Sequence, residues 1–189
     1  MPEDALTHLT PDGHVRMVDV GDKAVTDRRA VAGATVVLLP ATLRAIQANA
    51  IAKGNVFETA RIAGIQAAKR TSELIPLCHP LRVTSIAVDF AVLDQGRIGI
   101  RATVAATDRT GVEMEAMTAA AVAGLTLYDM VKAIDREVVL TDVRLLEKSG
   151  GKSGRFVRSG ATPSVPLPAA ASTPGGIPPA TPSADSGPM

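Results

Sequence analysis

The pattern of apolar and polar positions predicts four β-strands in this chain. Between residues 86 and 106 apolar positions alternate on both sides of Asp94-Gln95-Gly96, which predicts a β-hairpin with its turn at those three residues. The charged residues 22–29 predict a loop, and residues 30–39, which become β-branched toward their end, predict a strand after it. Residues 137–146 predict the last strand.

Two longer segments have apolar positions three and four residues apart, as helices do. They are residues 56–74, which Asn55 can cap, and residues 111–136. Pro40 suits the first position of a further short helix. The order strand, helices, strand, strand, helix, strand predicts a ferredoxin-like βαββαβ sandwich of the α+β class, an antiparallel sheet with helices on one face. The other face of such a sheet is covered by solvent or by another subunit.

The helix predicted at residues 111–136 organises the rest of the chain. It begins with acidic residues and carries Asp129 and Lys132 near its end, on neighbouring helical ridges. A stripe of small residues separates these two polar ends: Ala116, Ala119, Ala120, Ala121, Ala123 and Gly124. Because a glycine inside a helix costs roughly 1 kcal/mol relative to alanine, Gly124 predicts the close approach of another backbone. We expect an antiparallel partner helix along this stripe.

Composition separates one domain from two terminal segments. Eight of the 13 prolines follow Ser159, in a stretch with a single charge and no apolar period. Such a stretch buries too little surface to offset the entropy of ordering it. We therefore expect a flexible N-terminus over residues 1–13, one domain over residues 14–158, and a disordered Pro/Ala-rich tail over residues 159–189.

Charge and cysteine content argue against several classes of protein. The formal net charge of +1 gives no global field that would favour nucleic acid or a membrane surface. One cysteine cannot form a disulfide framework and suits a reducing compartment. No signal peptide and no apolar run long enough to span a bilayer is visible. We expect a cytoplasmic protein with no nucleic-acid or membrane partner.

Three charged residues beside predicted helix ends are candidates for chemistry. Lys53 precedes a helix N-terminus, where unpaired N–H groups favour an anion, although an exposed loop lysine is the alternative. Asp129 and Lys132 lie beside apolar neighbours on a helix that its composition predicts to be mostly buried. Buried ionisable pairs are typical of chemistry, whereas a surface ion pair is the alternative.

The segment Leu77-Cys78-His79 lies between two prolines that fix its backbone. His79 can serve there as an acid, a base or a donor near neutral pH, or only as a strut of the loop. Cys78 is either a small buried hydrophobe or a nucleophilic thiol. No spacing of histidine and cysteine residues suits a metal ion, so we expect no metal site.

Acidic residues begin the central helix. The helix dipole alone could explain Glu113 and Glu115, and Met114 between them suits the core. The two acids are separated by about 200° around a helix, so we expect at most one of them to face any given pocket.

The segment KSGGKSGR, which starts at Lys148, combines a glycine-rich backbone with basic side chains. Such a segment suits phosphate groups, which Lys148 and Lys152 can bind. It is not a P-loop, because Leu146 stands where that motif needs a glycine. Together with Lys53 and Arg28 it predicts phosphate binding; a mobile basic tail is the alternative.

Three long segments resemble the family of cyclic pyranopterin monophosphate synthases, the C proteins of molybdenum cofactor biosynthesis. They are KGNVFETARIAGIQAAKRTSELIPLCHPL, TGVEMEAMTAAAVAGLTLYDMVKAIDR and VRLLEKSGGKSG. The resemblance is collinear from about Met17 to Gly154, and the Pro/Ala-rich tail departs from it. It implies a ferredoxin-like fold and a homohexamer, a trimer of dimers with sites at the dimer interfaces.

The resemblance also implies a reaction. The substrate would be 3′,8-cyclo-7,8-dihydroguanosine 5′-triphosphate, and the products cyclic pyranopterin monophosphate and pyrophosphate. Opening one ring, closing another and attacking the α-phosphate require proton transfers and cations near the triphosphate. No cofactor is implied, and Mg²⁺ can accompany the triphosphate without being required by the sequence.

Finally, the resemblance assigns residues to the site. Asp129 matches the family's catalytic aspartate and Lys132 its partner lysine. The substrate-binding positions are Leu77, Cys78, His79, Met114, Glu115, Lys53, Arg28, Lys148 and Lys152. We interpret Asp129 and Lys132 as a coupled acid/base pair, His79 as a group that orients or protonates the ring-opening centre, and the basic residues as phosphate ligands.

Two other classes of function remain open: a regulatory module that binds nucleotide phosphates without converting them, and a structural oligomer whose polar helix ends are interface ion pairs.

One further expectation concerns the assembly. Glu115 and Asp129 are 14 residues apart, about 21 Å along a helix, so one small pocket cannot hold both from a single chain. We expect the site to be shared between subunits.

Overall fold

The computed structural model describes residues 12–159. The predictions for a flexible start and for the Pro/Ala-rich tail fall almost entirely on residues outside this range. Within it, one antiparallel sheet and a layer of helices form the fold.

The sheet has five strands in the described part of the chain. They are β1 (Thr26–Val37), β2 (Val83–Asp94), β3 (Arg97–Asp108), β4 (Val139–Ser149) and β5 (Phe156–Val157). Their order is β2-β3-β1-β4-β5, and every neighbouring pair is antiparallel. The first four strands have the ferredoxin-like order, with β3 between β1 and β2, which confirms the predicted fold class. The short β5 beside β4 is an addition that the apolar pattern does not predict.

The helices are α1 (Pro40–Gln47), α2 (Val56–Lys69), α3 (Thr71–Leu74) and α4 (Glu113–Val131). Asn55 caps α2 as predicted, because its side chain accepts a hydrogen bond from the Glu58 N–H. The helix predicted at residues 56–74 is two helices separated at Arg70, and α4 ends five residues before the predicted boundary at residue 136. Within residues 12–159, no helix has the length and apolar character needed to cross a membrane.

β1 begins earlier than the sequence pattern predicts. Residues 26–29 belong to the segment expected to be a loop, yet they pair with β3, with Thr26 opposite Asp108 and Arg29 opposite Ala105. Pairing with a long neighbouring strand outweighs the local polarity of these residues. The added length carries Arg28 and Arg29 to the end of the sheet, where they line a basic cleft.

The small residues of α4 are buried inside this chain. Ala116, Ala119, Ala120 and Ala123 are fully buried, where α4 packs against α2 and the sheet. Gly124 faces β4, because a Cβ at this position would meet the Leu140 side chain rather than another backbone. The expected partner helix along the stripe is therefore wrong, since the chain's own elements already cover these residues.

Close approach of two backbones occurs instead at Gly64 of α2. A Cβ on Gly64 would lie 2.9 Å from the Ala119 carbonyl oxygen and 3.3 Å from the Ala123 Cβ. The absence of a side chain at Gly64 lets α2 lie directly on α4. This contact fixes the position of α4 in the helical layer.

A buried carboxylate joins the end of α4 to the start of α1. Asp135 Oδ2 accepts hydrogen bonds from the Leu39 N–H and the Thr42 hydroxyl, both at 2.9 Å. Its Oδ1 accepts one from the Glu137 N–H at 3.1 Å. The first turn of α1 contains no acidic residue of its own, so Asp135 supplies the negative charge that a helix N-terminus favours.

The packing of Gly64 predicts that alanine at this position destabilises the protein, the opposite of its usual effect in a helix. In an ordinary helix interior, alanine is more stable than glycine by about 1 kcal/mol. We expect Gly64→Ala to lower the free energy of unfolding by about 1–3 kcal/mol, because the new Cβ presses on the Ala119 carbonyl. Urea unfolding followed by circular dichroism measures the change. Ala63→Gly in the same helix is the control and should lose about 1 kcal/mol from propensity alone. A Gly64→Ala protein more stable than wild type would contradict the packing described.

Candidate active site

A basic cleft of about 540 Å³ lies where β1, the β3–α4 connection and the loop after β4 meet. The cationic residues of its lining are Lys23, Arg28, Arg29, Arg109, Lys148 and Lys152. Glu113 is the acidic residue among them. A cleft with this excess of positive charge favours a ligand that carries several negative charges.

Arg28 is held in this cleft by the backbone around it. Its Nε donates to the Asp108 carbonyl oxygen at 3.2 Å, and its Nη2 donates to the Arg109 carbonyl oxygen at 3.1 Å. Gly150 and Gly151 adopt positive φ angles of 96° and 73°. A Cβ on Gly150 would meet the backbone of β1, and one on Gly151 would meet the Arg28 guanidinium. Glycine at both positions therefore lets the loop close against Arg28.

Lys148 ties the loop after β4 to the first turn of α4. Its Nζ lies 2.9 Å from Glu113 Oε1 and donates to Ser153 Oγ at 2.9 Å. The Lys148 and Glu113 side chains are 27% and 26% exposed, so water screens the pair only partly. A phosphate group, which is also an anion, can compete with Glu113 for this lysine.

A second cleft, of about 360 Å³, continues from the first. The two share Lys23, Thr110, Gly111 and Glu113, and we call them together the binding groove. The rest of the second cleft is lined by Val18, Val20, Leu77, Cys78, His79, Leu81, Met114 and Glu115.

Both acids at the start of α4 face the second cleft. The expectation that at most one of Glu113 and Glu115 could face a given pocket is therefore wrong. Glu113, Met114 and Glu115 all line this cleft, so side chains on different sides of the first turn of α4 reach it. Met114 also lines the cleft, so it is not a core residue.

Glu115 is the more deeply buried of the two acids, at 4% exposure. Burial raises its pKa to about 7; a hydrogen bond to its own backbone N–H acts in the opposite direction, and the charge of Glu113 adds to the rise. Near neutral pH this carboxyl can therefore either donate or accept a proton.

Leu77, Cys78 and His79 are half-buried and form a wall of the second cleft. Burial raises the pKa of the Cys78 thiol, and the charge of Glu115 adds to this rise. The thiol is therefore protonated near neutral pH. That state disfavours the nucleophilic alternative for Cys78, because the thiolate is the reactive form.

The remaining three predicted site residues lie together at the other end of α4. Asp129 Oδ1 is 2.8 Å from Lys132 Nζ, and Asp129 Oδ2 is 2.7 Å from Lys53 Nζ. Lys53 also donates to the Asp129 carbonyl oxygen at 2.7 Å. We call Lys53, Asp129 and Lys132 the lysine–aspartate cluster.

The close pairing of charges in this cluster shifts the pKa values of Asp129 and Lys132. Hydrogen bonds from Lys132 and Lys53 lower the pKa of Asp129 to about 2, and the hydrogen bond to Asp129 raises the pKa of Lys132. Near neutral pH Asp129 is therefore a carboxylate and Lys132 an ammonium group. Their side chains are 53% and 52% exposed, so the expectation of a buried pair is wrong for the single chain.

The chain thus brings eight of the eleven predicted site residues into the binding groove. They are Arg28, Leu77, Cys78, His79, Met114, Glu115, Lys148 and Lys152. The lysine–aspartate cluster is separated from them by most of the length of α4, about 21 Å between Glu115 and Asp129.

Three basic residues of the groove do not appear among the sequence predictions. Lys23 lines both clefts, and Arg29 and Arg109 line the first. Arg109 could have been selected, because it lies two residues before Gly111, where the central helix was expected to begin. Lys23 and Arg29 belong to the charged segment expected to be a loop. The pairing of β1 places Arg29 at the site, whereas Lys23 lies in the turn before β1.

The donor set of the groove fits an anion better than a metal ion. Across residues 12–159, histidine, cysteine, aspartate and glutamate side chains do not gather in groups of three or more that could hold a metal.

Comparison with known proteins shows the family to which the chain belongs. A family model described as the MoaC family matches residues 17–151. A cyclic pyranopterin monophosphate synthase of Streptomyces coelicolor is 52% identical over 158 residues, which cover 84% of this chain and 92% of that protein. Proteins named cyclic pyranopterin monophosphate synthase 3, from Mycobacterium bovis and Mycobacterium tuberculosis, are each 56% identical over 153 residues, covering 81% of this chain and 86% of theirs. With most of its domain matched in this way, the chain belongs to the MoaC family.

Proposed function

We propose that this chain is a lyase of molybdenum cofactor biosynthesis that makes cyclic pyranopterin monophosphate. Its substrate is 3′,8-cyclo-7,8-dihydroguanosine 5′-triphosphate, and pyrophosphate is the second product. Family membership and the names of the relatives support the activity. The structural observation that carries the proposal is the groove itself, in which a strongly basic cleft adjoins a cleft with a protonatable buried acid.

The basic cleft suits the triphosphate. Six cationic side chains line the cleft. Their total positive charge exceeds the negative charge of a triphosphate, even though Lys148 is paired with Glu113. Arg28 already uses two of its donors on backbone carbonyls, so its guanidinium is held in place before the ligand arrives. Such preorganised cations stabilise the charge that develops when the α-phosphate is attacked and pyrophosphate leaves.

The second cleft suits the purine-derived ring. Glu115 and His79 line this cleft, and we assign them to the proton transfers of ring opening and closure. Glu115 has its pKa raised to about 7 by burial, so it can hold a proton for a leaving nitrogen and take one back later. His79 orients or protonates the ring-opening centre.

The lysine–aspartate cluster supplies the remaining proton chemistry in this proposal. Lys132 and Asp129 act as a coupled acid/base pair, in which the Asp129 carboxylate orients the Lys132 ammonium group. Lys53 adds a second cation beside the same carboxylate. Because the cluster lies far from the groove of its own chain, it acts in the groove of another subunit.

The outer face of α4 supports this sharing. Leu125, Tyr128, Asp129 and Lys132 follow the spacing of one helical stripe, and all four are exposed. A second copy that covers Leu125 and Tyr128 would bury apolar surface and carry the adjoining charged pair to the interface. We infer a dimer through this face and a hexamer of three such dimers as the assembly. We also infer a cytoplasmic location, which the single unpaired cysteine suits.

Loss of Lys132 tests the catalytic assignment. We expect Lys132→Ala to reduce pyrophosphate release from the cyclised GTP by about 10²- to 10⁴-fold, the range of a lost general acid. Arg136→Ala, four residues further along the chain and outside α4, is the control and should retain activity. Full turnover by a folded Lys132→Ala protein would contradict the assignment. Binding without any pyrophosphate release by wild type would favour a regulatory module, and full activity without Asp129 would favour a structural role for the cluster.

Mixing variant subunits tests the shared site. Asp129→Ala and Glu115→Ala chains are each expected to be inactive alone. Refolded together, they should recover up to about a quarter of wild-type activity, because half of the dimers then contain one intact site out of two. Asp129→Ala mixed with Lys132→Ala is the matched control and should recover none, since both changes affect the same end of α4. Failure of the first mixture to exceed the control would contradict sharing.

The protonation state of Glu115 can be tested through stability. Its folded pKa of about 7 lies above the unfolded value of 4.5, so the native state binds the extra proton between these pH values. The contribution of Glu115 to stability is therefore most favourable below about pH 4.5 and is lost as the pH rises to about 7. Relative to wild type, Glu115→Gln should gain up to about 3 kcal/mol in unfolding free energy between pH 5 and pH 8.

Urea unfolding at fixed protein concentration across this pH range gives the comparison. Glu73→Gln, at an exposed position, is the control and should follow the wild-type profile. Parallel profiles for wild type and Glu115→Gln would show that Glu115 is already ionised at low pH, against the burial described.

A further inference from the structure

One wall of the binding groove belongs to neither a helix nor a strand. It is residues 17–23, which we call the strap. Val18 and Val20 of the strap are half-buried and line the second cleft, while Met17 and Asp19 are exposed. Lys23 at its end lines both clefts. The strap therefore covers the region where the basic cleft meets the acid-containing one.

Arg109 joins the strap to the body of the domain. Its Nη1 donates to the Val20 carbonyl oxygen at 3.4 Å and to the Gly21 carbonyl oxygen. The hydrogen bonds inside the strap are local, from the Gly21 N–H to Asp19 Oδ1 at 2.8 Å and from the Lys23 N–H to the Val20 carbonyl at 3.1 Å. These local bonds shape a turn but do not hold it against the groove.

Arg109 is itself held from two sides. The Asp108 carboxylate accepts hydrogen bonds from the Arg109 N–H at 2.8 Å and from the Arg82 N–H at 3.1 Å. The Arg109 carbonyl accepts the Arg28 Nη2 hydrogen bond at 3.1 Å. The same short connection between β3 and α4 thus holds both Arg28 of the basic cleft and, through the Arg109 side chain, the strap.

We propose that Arg109 is a positioning residue that fastens the strap across the binding groove, so that Val18 and Val20 wall the second cleft and Lys23 faces both clefts. Substrate then meets a groove whose wall is already in place, and the entropy of ordering that wall does not oppose binding. The effect on substrate rests on the proposed function, whereas the effect on the strap does not.

A direct role is the competing explanation, because Arg109 also lines the basic cleft and its guanidinium could touch a phosphate. The two roles differ in what they predict for the substrate-free protein. A positioning residue restrains the strap before any ligand arrives. A phosphate ligand does not.

Hydrogen exchange of the strap amides separates these roles. We expect Arg109→Gln to speed the exchange of residues 17–23 about tenfold in the substrate-free full chain, since hydrogen bonds from a charged donor are lost. Arg109→Lys should keep most of the protection, because an ammonium group can still donate to the Val20 and Gly21 carbonyls. Arg97→Gln is the matched control: Arg97 pairs with Asp94 at the β2–β3 turn, and its loss should leave the strap unchanged.

Steady-state kinetics on the same proteins complete the test. For Arg109→Gln we expect KM to rise about tenfold and kcat to stay within about threefold of wild type, with Arg109→Lys largely restoring KM. Unchanged exchange in Arg109→Gln together with a raised KM would identify a direct phosphate contact and overturn the proposal. If neither wild type nor Arg97→Gln released pyrophosphate, the proposed function would fail, while the exchange result would still decide the role of Arg109.

Discussion

The packing of α2 on α4 determines where both halves of the site lie. With Gly64 against the Ala119 carbonyl, the 19-residue helix α4 packs closely between its neighbour and the sheet, and this packing sets the positions of its two ends. The first turn of α4 then reaches the binding groove, and its last turn presents Asp129 to Lys53. A rigid rod of this length cannot bring its own two ends together, so its geometry demands a second copy if both ends act on one substrate.

Much of the fold is predictable from the sequence because the period of the apolar positions changes clearly between strands and helices. Alternation around Asp94-Gln95-Gly96 gives the hairpin, and strand order follows from the sequence of element types. The start of β1 is not predictable in this way, since Thr26–Arg29 become a strand only through partners some 80 residues away. The short helix break at Arg70 and the two-residue β5 likewise depend on tertiary contacts and leave no periodic signal.

The candidate site is predictable to a different extent at each position. Glycines and lysines in the segment after β4 indicate anion binding by their chemistry alone. The roles of Asp129, Lys132 and the segment Leu77-Cys78-His79 come from resemblance to a family, because their local patterns also fit structural roles. Burial is the property that the sequence predicts least well. Glu115 is buried, whereas the Asp129–Lys132 pair, which was expected to be buried, is exposed in the single chain. Gly124 shows the same limit, since a helical glycine reveals that something approaches but not whether it is a backbone or the Leu140 side chain.

The contact between Gly151 and Arg28 has a consequence for which substitutions this domain can accept at the two positions. The space that a side chain at position 151 would need is filled by the Arg28 guanidinium, and the positive φ of Gly151 further narrows what can replace it. Substitutions at the two positions are therefore not independent. A side chain at 151 would displace the Arg28 guanidinium, which donates hydrogen bonds to the Asp108 and Arg109 carbonyls. A change at position 151 therefore also alters how Arg28 is positioned in the basic cleft.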